Sequence, residues 1–427
     1  MLNKSIIFCG KLISYVSKIL NLGNGSTWPG HIALKINQNF INQMLGKSKT
    51  KVILVTGTNG KTTTAKLLQA ILETNGKKVV LNSSGANLLN GIASAIILNS
   101  NLNGDSNADF AIFEIDENTL PQIIKTVEPN FIIALNLFRD QLDRYGEIDL
   151  IARRWKEAYI KLRKTQFILN ADDPQIAYLG NDLKNVDYFG IDSKGNDISE
   201  HASDSILCPK CGKKLTFTRH YFSHLGDWSC KNCGLTKPNH EFIKSLFYPL
   251  SGTYSIYDVQ AASLVAKLNG LTITDINKGL KSFRPAFGRQ EMFKAGDKNI
   301  QFFLSKNPTS FNESLRAIAE KNANNLLIVL NDRIPDGTDV SWIWDIDFET
   351  LVRKGMNLYL AGDRVYDLAL RMKYAGIVIV DENIFENLNE AIEKGLYDTG
   401  VKQTFYVLPT YSAMLEARKI ITGKKIL

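Results

Sequence analysis

The residues best suited to chemistry form a short glycine-rich segment near the start of the chain. It follows an apolar, β-rich run and opens a helical pattern, and it reads Gly57-Thr58-Asn59-Gly60-Lys61-Thr62-Thr63. Small residues there let backbone N–H groups and the helix N-terminus approach phosphate oxygens. Lys61 can neutralise the β and γ phosphates, and the Thr62 hydroxyl can bind Mg²⁺. We predict a nucleotide-binding loop, although its glycine spacing departs from the general P-loop consensus.

Four of the five cysteines form a second group with a clear chemical use. They are arranged as two Cys-x2-Cys pairs separated by eighteen residues, each followed by a glycine: Cys208, Cys211, Cys230 and Cys233. This spacing is typical of two zinc knuckles that close one tetrahedral Zn²⁺ site, in which four thiolates leave no open position for catalysis. Disulfides are the alternative, but they are rare in the cytoplasmic chain that we expect. Such ribbons also bind nucleic acid, yet no aromatic groove accompanies the nearby lysines, so no nucleic acid is expected.

The elements that must position these groups alternate along most of the chain. Short β-rich runs and helical stretches follow one another from Lys51 to about Tyr188, which predicts βαβ units and a mainly parallel sheet. The predicted strands are Val52–Thr56, Val79–Leu81, Phe110–Ile115, Phe131–Leu135 and Phe167–Leu169. After a boundary near Lys294–Lys298, a second α/β unit is predicted with strands at Ile300–Leu304, Leu326–Leu330, Leu358–Ala361, Ile377–Val380 and Phe405–Leu408. The fold class is therefore α/β.

This pattern divides the chain into three parts. Residues 1–45 form an N-terminal helical segment, residues 46–295 a nucleotide-binding domain with the cysteine ribbon inserted at 203–239, and residues 296–427 a second, Rossmann-like domain. Apolar residues at mixed helical spacing, with lysines among them, predict that the N-terminal helix packs on the first domain. A helix lying on a membrane surface is the alternative.

Composition limits the class of protein but not its partner. The chain has 427 residues, of which 44% are hydrophobic and 22% charged, as is ordinary for a soluble protein of two or three domains. Its net charge of +8 suits a nucleic acid, an anionic membrane or a phosphorylated substrate about equally. No run reaches the roughly 18 to 20 apolar residues of a membrane span, and no signal cleavage site follows the N-terminal run. We expect a cytoplasmic protein, with peripheral contact at the inner face of the plasma membrane as a further option.

The glycine-rich segment also resembles the loop of Mur ligases and folylpolyglutamate synthases, and other family positions follow in order. Glu114 in Phe113–Glu117 resembles the family's magnesium-binding glutamate, and Gly288-Arg289 resembles the pair whose arginine reaches the ATP phosphates. Two further stretches resemble the family's Asn, Asp-His-Leu-Asp, Gly segment and its Asn-x-Asp-Asp marker, namely Asn136–Gly146 and Asn170–Pro174. The resemblance implies a domain of the Mur-ligase central type that uses ATP and Mg²⁺.

Departures from the family pattern indicate a particular branch. Gln141 stands where many Mur ligases have a metal-binding histidine, and Trp155 where they have a carbamylated lysine, so a second metal site is not expected. Ser255 and Asp258 replace two asparagines near the adenine; Asp258 remains a candidate nucleotide contact. The residues before Lys51 are too few for the family's uridine-nucleotide domain, so we expect the substrate to be held differently.

The second α/β unit and the inserted ribbon resemble the MurT family, the ligase subunits of lipid II isoglutaminyl synthases. The markers are Lys306-Asn307-Pro308 and the segment Asn331–Asp345. The resemblance implies ATP-dependent amidation of the D-glutamate α-carboxylate in the lipid II stem peptide, through an acyl phosphate, with catalytic Lys61 and Glu114. Free-standing Mur or folylpolyglutamate ligases and zinc-ribbon nucleic-acid ATPases are the alternatives.

Ammonia for this reaction must come from a partner. Glutaminases need an activated nucleophile, but four cysteines are assigned to zinc, Cys9 lies in the N-terminal helix, and residues 241–427 contain neither cysteine nor histidine. The resemblance implies a GatD-type glutamine amidotransferase, and it implies that Asp339 completes the partner's Cys–His pair as a third catalytic residue. Asp332, Asp336 and Asp345 are rivals for this role.

Overall fold

The structure is a computed structural model, and it describes residues 2–19, 27–46, 48–82, 85–139, 148–192, 204–285 and 287–423. Three helices open the chain: α1 (Leu2–Ile19), α2 (Trp28–Ile36) and α3 (Phe40–Leu45). Helix α1 buries Ile6 and Ile7 in the core of the first sheet's domain, so its packing follows the prediction. Gln141, the rest of 140–146, and residue 203 at the predicted start of the ribbon lie outside the described residues.

The first sheet is parallel, and among the described residues it has six strands in the order β2-β3-β1-β4-β5-β6. The strands are β1 (Lys51–Thr56), β2 (Val79–Leu81), β3 (Phe110–Glu114), β4 (Phe131–Ala134), β5 (Gln166–Asn170) and β6 (Val186–Phe189). The helices are α4 (Lys61–Thr74), α5 (Leu89–Asn99), α6 (Leu120–Thr126), α7 (Ile148–Tyr159), α8 (Pro174–Leu179), α9 (Thr253–Leu268) and α10 (Ile273–Ser282), with a 3₁₀ turn at Gly180–Asp182.

Strand β1 shows why this sheet forms at the centre of the domain. Val52 and Leu54 belong to the hydrophobic core on one face of the sheet, and Ile53 and Val55 belong to the core on the other. A continuous apolar run is what a parallel strand covered on both faces requires. The carboxyl ends of β1, β3 and β4 lie side by side, which brings the loops after Thr56, Glu114 and Ala134 together.

The cysteine-rich insertion forms a small antiparallel unit. A hairpin of β7 (Thr216–Phe222) and β8 (Leu225–Ser229) is flanked by two single bridges, Leu207 with Lys214 and Ser229 with Thr236. Each bridge closes one Cys-x2-Cys turn at the base of the hairpin. The insertion therefore has its own small sheet, which the sequence pattern did not predict.

The second sheet has six strands in the described residues, in the order β13-β12-β11-β14-β10-β9, with only β9 antiparallel to its neighbour. The strands are β9 (Arg289–Ala295), β10 (Lys298–Phe303), β11 (Asn325–Val329), β12 (Asn357–Ala361), β13 (Ile384–Phe385) and β14 (Thr404–Pro409). The helices are α11 (Pro308–Glu320), α12 (Phe348–Leu351), α13 (Val365–Tyr374), α14 (Leu388–Asp398) and α15 (Tyr411–Thr422), with 3₁₀ turns at Ser341–Asp345 and Asp381–Asn383. The α/β class, with a mainly parallel sheet in each half, is confirmed.

Two features of the second sheet differ from expectation. The predicted strand at Ile377–Val380 is wrong: Val378 is 91% exposed, and the chain pairs with β12 only after the next turn, at Ile384–Phe385. The β-branched residues of that run do not pair with a neighbouring strand, so their propensity alone does not make one. Strand β9 pairs with β10, so the chain enters the second sheet at Arg289, ahead of the predicted start at residue 296. Its alternating polar residues on an exposed edge carry little apolar signal.

Candidate active site between the two sheets

The glycine-rich loop joins β1 to α4 in the conformation that phosphate binding requires. Gly57 and Gly60 have positive φ angles of 130° and 90°, which residues with a side chain rarely adopt. A Cβ at Gly60 would lie 2.2 Å from Asp258 Oδ1, so no larger residue fits. The N-terminus of α4, which begins at Lys61, is consequently open to an anion.

Asn136, which follows β4, holds this loop in place. Its side-chain oxygen accepts from the Asn59 N–H at 2.9 Å, and its amide nitrogen donates to the Asn59 carbonyl at 3.1 Å. The Thr58 hydroxyl accepts from the Phe138 N–H at 3.0 Å and donates to the Phe138 carbonyl at 3.2 Å. The loop is thereby fixed before any ligand arrives, and Asn136 is the asparagine that the family resemblance indicated.

Thr62 and Glu114 bring hard oxygen atoms together beside the loop. The Thr62 hydroxyl donates to Glu114 Oε2 at 2.6 Å, and both side chains are buried. Asn82 accepts from the Glu114 N–H at 2.9 Å and donates to the Glu114 carbonyl at 3.0 Å, which fixes the end of β3. Burial raises the pKa of Glu114, against the opposing effects of Arg289 and the Thr62 hydrogen bond. A hydroxyl and a carboxylate at this spacing fit the ligand preference of Mg²⁺.

Lys61 contacts a residue that the sequence did not single out. Its ammonium lies 3.3 Å from both carboxylate oxygens of Glu117 and bonds to the Gly57 carbonyl of its own loop. Glu117 is held by Trp155, whose buried indole N–H donates to the Glu117 carbonyl at 2.8 Å. The only sequence signal was the acidic cluster after β3, Glu114-Ile115-Asp116-Glu117. Trp155, at the position of the family's carbamylated lysine, thus positions the partner of Lys61.

Residues of the second sheet complete the cleft. Arg289, at the start of β9, donates to the Thr63 hydroxyl at 3.5 Å. Asn307, which caps α11, exchanges amide contacts with Asn59 of the loop at 3.2 and 3.5 Å. The cleft has a volume of about 650 Å³, and it is lined from both sheets by, among others, Lys61, Thr62, Lys66, Glu114, Glu117, Arg289, Lys306, Glu313 and Tyr411. Burial lowers the pKa of Lys66 at its wall.

Asp258 and Ser255 lie on α9, and Asp258 borders the cleft beside the glycine-rich loop. The Ser255 hydroxyl donates to the Leu250 and Gly252 carbonyls at 3.0 and 2.8 Å, so it is bonded to the backbone just before its own helix. Asp258 Oδ1 accepts from the Thr64 hydroxyl at 3.1 Å, whereas Oδ2 is buried without a hydrogen-bond partner among the described residues. Burial raises the pKa of Asp258 to about 8.

Asp258→Asn should therefore make the protein more stable in alkaline solution. Because the folded-state pKa of Asp258 lies above its unfolded value, folding takes up a proton, and stability is lost as pH rises from about 4 to about 8. The cost grows by up to about 1.4 kcal/mol per pH unit. Thermal unfolding at several pH values should show that the stability of the variant changes less with pH over this range than that of the wild type. Near pH 8 the variant should be the more stable of the two. Parallel curves would mean that Asp258 is ionised in the folded protein.

The four cysteines meet at the base of the hairpin. Their sulfur atoms lie within 4.8 Å of one another, with Cys208–Cys233 at 3.6 Å and Cys211–Cys230 at 3.5 Å. Thiolates around Zn²⁺ at about 2.3 Å stand about 3.8 Å apart, so the four ligands fit a tetrahedral ion. The cluster can hold a metal ion, and the two knuckle turns are closed by N–H donation from Gly212 to Cys208 and from Gly234 to Cys230.

The ribbon is fastened to the first domain through the segment Asn170–Pro174. The Trp228 indole donates to the Ala171 carbonyl at 3.0 Å, and Lys237 pairs with Asp172. Asp173 accepts from the Leu137 N–H at 2.9 Å and lies 3.4 Å from His224 at the hairpin end. The neighbouring hairpin residue, Phe222, packs on Phe138 and lines the cleft. The ribbon thus supports the loop residue that fixes Thr58.

Cys208→Ser should lower both metal content and stability. We expect about one Zn²⁺ per chain, and because structural zinc contributes directly to folding, the variant should unfold several degrees lower. Since Phe222 packs on Phe138, its ATP affinity should also fall. Metal analysis, thermal unfolding and calorimetric ATP titration measure the three effects. Cys9→Ser is the matched control, because Cys9 is exposed on α1; a metal-free wild type would disprove the zinc assignment.

The structure does not bring Asp339 into this cleft. Asp339 is exposed ahead of a 3₁₀ turn, and its carboxylate accepts from the Ser341 N–H at 2.8 Å, which lowers its pKa. Its three rivals are engaged elsewhere. Asp336 is buried against Ser412, Asp332 pairs with Arg364 at 3.0 Å, and Asp345 pairs with Arg139 at 3.2 Å. Asp339 forms no ion pair in the described part of the chain.

Two mainly parallel sheets, a strand-loop-helix motif of the phosphate-binding type and a cleft between the halves define a ligase of the Mur type. Two family models match the chain: Mur ligase middle domain at residues 55–266 and MurT ligase C-terminal at 304–414. The chain belongs to the MurT family and is an ATP-dependent ligase of cell-wall synthesis.

Named relatives support this placement, and solved structures share the fold. The MurT subunit of lipid II isoglutaminyl synthase from Streptococcus pneumoniae is 32% identical and covers 95% of this chain and 94% of its own length. The Staphylococcus aureus subunit is 30% identical, covering 85% of this chain and 86% of that subunit. A Methanothermus fervidus pseudomurein peptide ligase shares the fold, with a TM-score of 0.67, 23% identity, and coverage of 89% of this chain and 80% of that one. The Thermotoga maritima MurF ligase, solved with ADP, has a TM-score of 0.60 at 14% identity, covering 93% and 85%.

None of the described helices is long and apolar enough to cross a membrane.

Proposed function

We propose that this chain uses ATP to convert the α-carboxylate of D-glutamate in the lipid II stem peptide to the amide of D-isoglutamine. The observation that supports this most strongly is the cleft in which Lys61 and the Thr62–Glu114 pair meet Arg289 of the second sheet. The names of the Streptococcus and Staphylococcus relatives supply the substrate class.

The residues of the cleft suit phosphoryl transfer to a carboxylate. The backbone N–H groups of Thr58–Thr63 and the ammonium of Lys61 would hold the ATP phosphates. Arg289 would stabilise negative charge on the phosphoryl group during its transfer. Thr62 and Glu114 would hold Mg²⁺, which shields the phosphate oxygens when bound. A carboxylate oxygen then attacks the γ-phosphorus and ADP leaves. Ammonia attacks the carbonyl carbon of this acyl phosphate, inorganic phosphate leaves, and the nitrogen loses a proton.

A GatD-type glutaminase is proposed as the ammonia source, with Asp339 lending its carboxylate to the partner's Cys–His pair. An exposed, ionised carboxylate can fix a histidine tautomer and stabilise its protonated form. Large apolar side chains are exposed in the same segment: Ile334 is exposed five residues before Asp339, and exposed Trp344, five residues after it, makes an edge-to-face contact with exposed Tyr374, with ring centroids 5.5 Å apart. Exposed aromatic residues of this kind favour a protein interface. The reaction would occur in the cytoplasm at the inner membrane face, where a lipid-linked substrate is held.

The test is an amidation assay on lipid II with the co-purified pair. We expect D-isoglutamine and phosphate with either glutamine or ammonium, and a hydroxamate when hydroxylamine replaces ammonia, because hydroxylamine captures an acyl phosphate. ATP hydrolysis without amidation, or without hydroxamate, would contradict the proposal. ATP hydrolysis stimulated by an oligonucleotide in a salt-dependent manner would instead favour a nucleic-acid-binding ATPase.

A further inference from the structure

The first helix has an apolar side that no described part of the molecule covers. One side of α1 holds Ile6, Ile7 and Gly10 against α2 and α5, where a Cβ at Gly10 would lie 2.8 Å from Ile97. The opposite side, named here the outer face of α1, carries exposed apolar residues at helical spacing: Phe8, Leu12, Tyr15, Val16 and Ile19. The helix is fastened to the domain by one side, so its outer face is a feature of the folded chain.

The outer face is too apolar to be an ordinary solvated surface. Phe8 is 58% exposed, Leu12 52% and Tyr15 65%, and Trp28 at the start of α2 is 60% exposed. A run of such side chains along one helix is the pattern of an interfacial helix, in which aromatic rings sit at the boundary between lipid headgroups and acyl chains. Single exposed apolar residues are common, but a continuous apolar stripe along a helix indicates a surface that binds a partner or a membrane.

The charge of the N-terminal part of the chain indicates what kind of surface the outer face of α1 contacts. The first 72 residues contain nine lysines and neither aspartate nor glutamate, so their excess of positive charge is larger than the +8 of the whole chain. Lys4 is exposed on α1 itself, and Lys11 is partly exposed one residue from Leu12. Lysines next to a shallow apolar stripe, with no carboxylate on the helix, complement an anionic lipid surface.

We propose that the outer face of α1, with Lys4 and Lys11, docks the protein onto an anionic lipid bilayer. Phe8, Leu12 and Tyr15 enter the headgroup boundary while the buried side of the helix stays packed on α2 and α5. The biological use of this docking rests on the proposed function, because a substrate carried in the bilayer is met more often by an enzyme held at the same surface. The physical binding itself does not depend on that function.

Vesicle co-sedimentation of the full chain tests the docking. We compare vesicles of phosphatidylcholine alone with vesicles that also contain phosphatidylglycerol. The wild type should bind the anionic vesicles at least about tenfold more strongly, and added salt should weaken this binding. Phe8→Gln with Leu12→Gln should reduce binding about tenfold or more, because glutamine keeps the helix but removes the apolar contact. Tyr397→Gln with Val401→Gln is the control, since these exposed apolar residues lie in the second domain.

Several outcomes would overturn the docking: no binding by the wild type, equal loss in both double variants, or binding that ignores lipid charge. Loss of a dimer in the α1 variant would make the outer face an interface between copies of the chain, and loss of the glutaminase on purification would make it the subunit interface. Each double variant must unfold at the same temperature as the wild type. Amidation of detergent-dispersed lipid II separates the two proposals: vesicle binding without amidation refutes the proposed function alone, and amidation without vesicle binding refutes the docking alone.

Discussion

Lys61→Ala is expected to remove amidation with glutamine and with free ammonium alike. The ammonium of Lys61 is the cation nearest the phosphate loop, where it bonds to the Gly57 carbonyl and faces Glu117. If phosphoryl transfer precedes the use of ammonia, no nitrogen source can bypass its loss. Removing one group that stabilises developing charge typically costs about a hundred- to a thousandfold in rate, so both activities should fall at least that far.

The control for this variant must separate catalysis from folding. Glu117 is buried, and removing the cation that pairs with it can destabilise the domain. Thermal unfolding of the variant is therefore measured beside its activity. Lys77→Ala, an exposed lysine just beyond the C-terminal end of the same helix, should leave both unchanged. Ammonium-driven amidation that survives Lys61→Ala would overturn the assignment of this loop to ATP.

The loop was predictable because its information is local. Strand, glycines, lysine and helix are contiguous, so Gly57–Thr63 could be placed from the sequence alone. The metal-ligand candidate Glu114 and the phosphate-contact candidate Arg289 came from the family resemblance. Arg289 also begins β9, an edge strand that the sequence pattern did not reveal because its polar residues alternate. Local pattern and family resemblance therefore supplied the candidate residues of the site, whereas the sheet that carries Arg289 needed the structure.

Contacts between distant segments could not be predicted. Asn307 was noticed only as part of a marker, yet it meets Asn59 across the cleft because α11 and the phosphate loop are brought together by two separate sheets. The ribbon was foreseen from its cysteine spacing, but the position of Phe222 against Phe138 depends on how the hairpin docks on the first domain. Sequence spacing determines a local turn or knuckle, and packing between elements determines what such a unit touches.

The cross-subunit role of Asp339 gives the sharpest separation of two activities. Asp339→Asn keeps the size of the side chain and can still accept from the Ser341 N–H, so the turn at Ser341–Asp345 should persist. It removes the charge that would support the partner's imidazolium. The loss of such a carboxylate in a comparable triad costs about 10⁴-fold, so glutamine-dependent amidation should fall by several orders of magnitude. Amidation driven by added ammonium should remain nearly intact, because it bypasses glutamine hydrolysis.

Asp332→Asn is the matched control, since Asp332 lies in the same segment but is paired with Arg364. It should leave glutamine-dependent amidation within a few-fold of wild type. The hydrogen bond from Ser341 lowers the pKa of Asp339, so this carboxylate stays ionised throughout the neutral range, and the loss in Asp339→Asn should not depend on pH there. If both activities of Asp339→Asn fell together, the residue would belong to the ligase site or to the fold. If neither changed, the partner's histidine would take its carboxylate from elsewhere, and the exposure of Ile334 and Trp344 would no longer support an interface with that subunit.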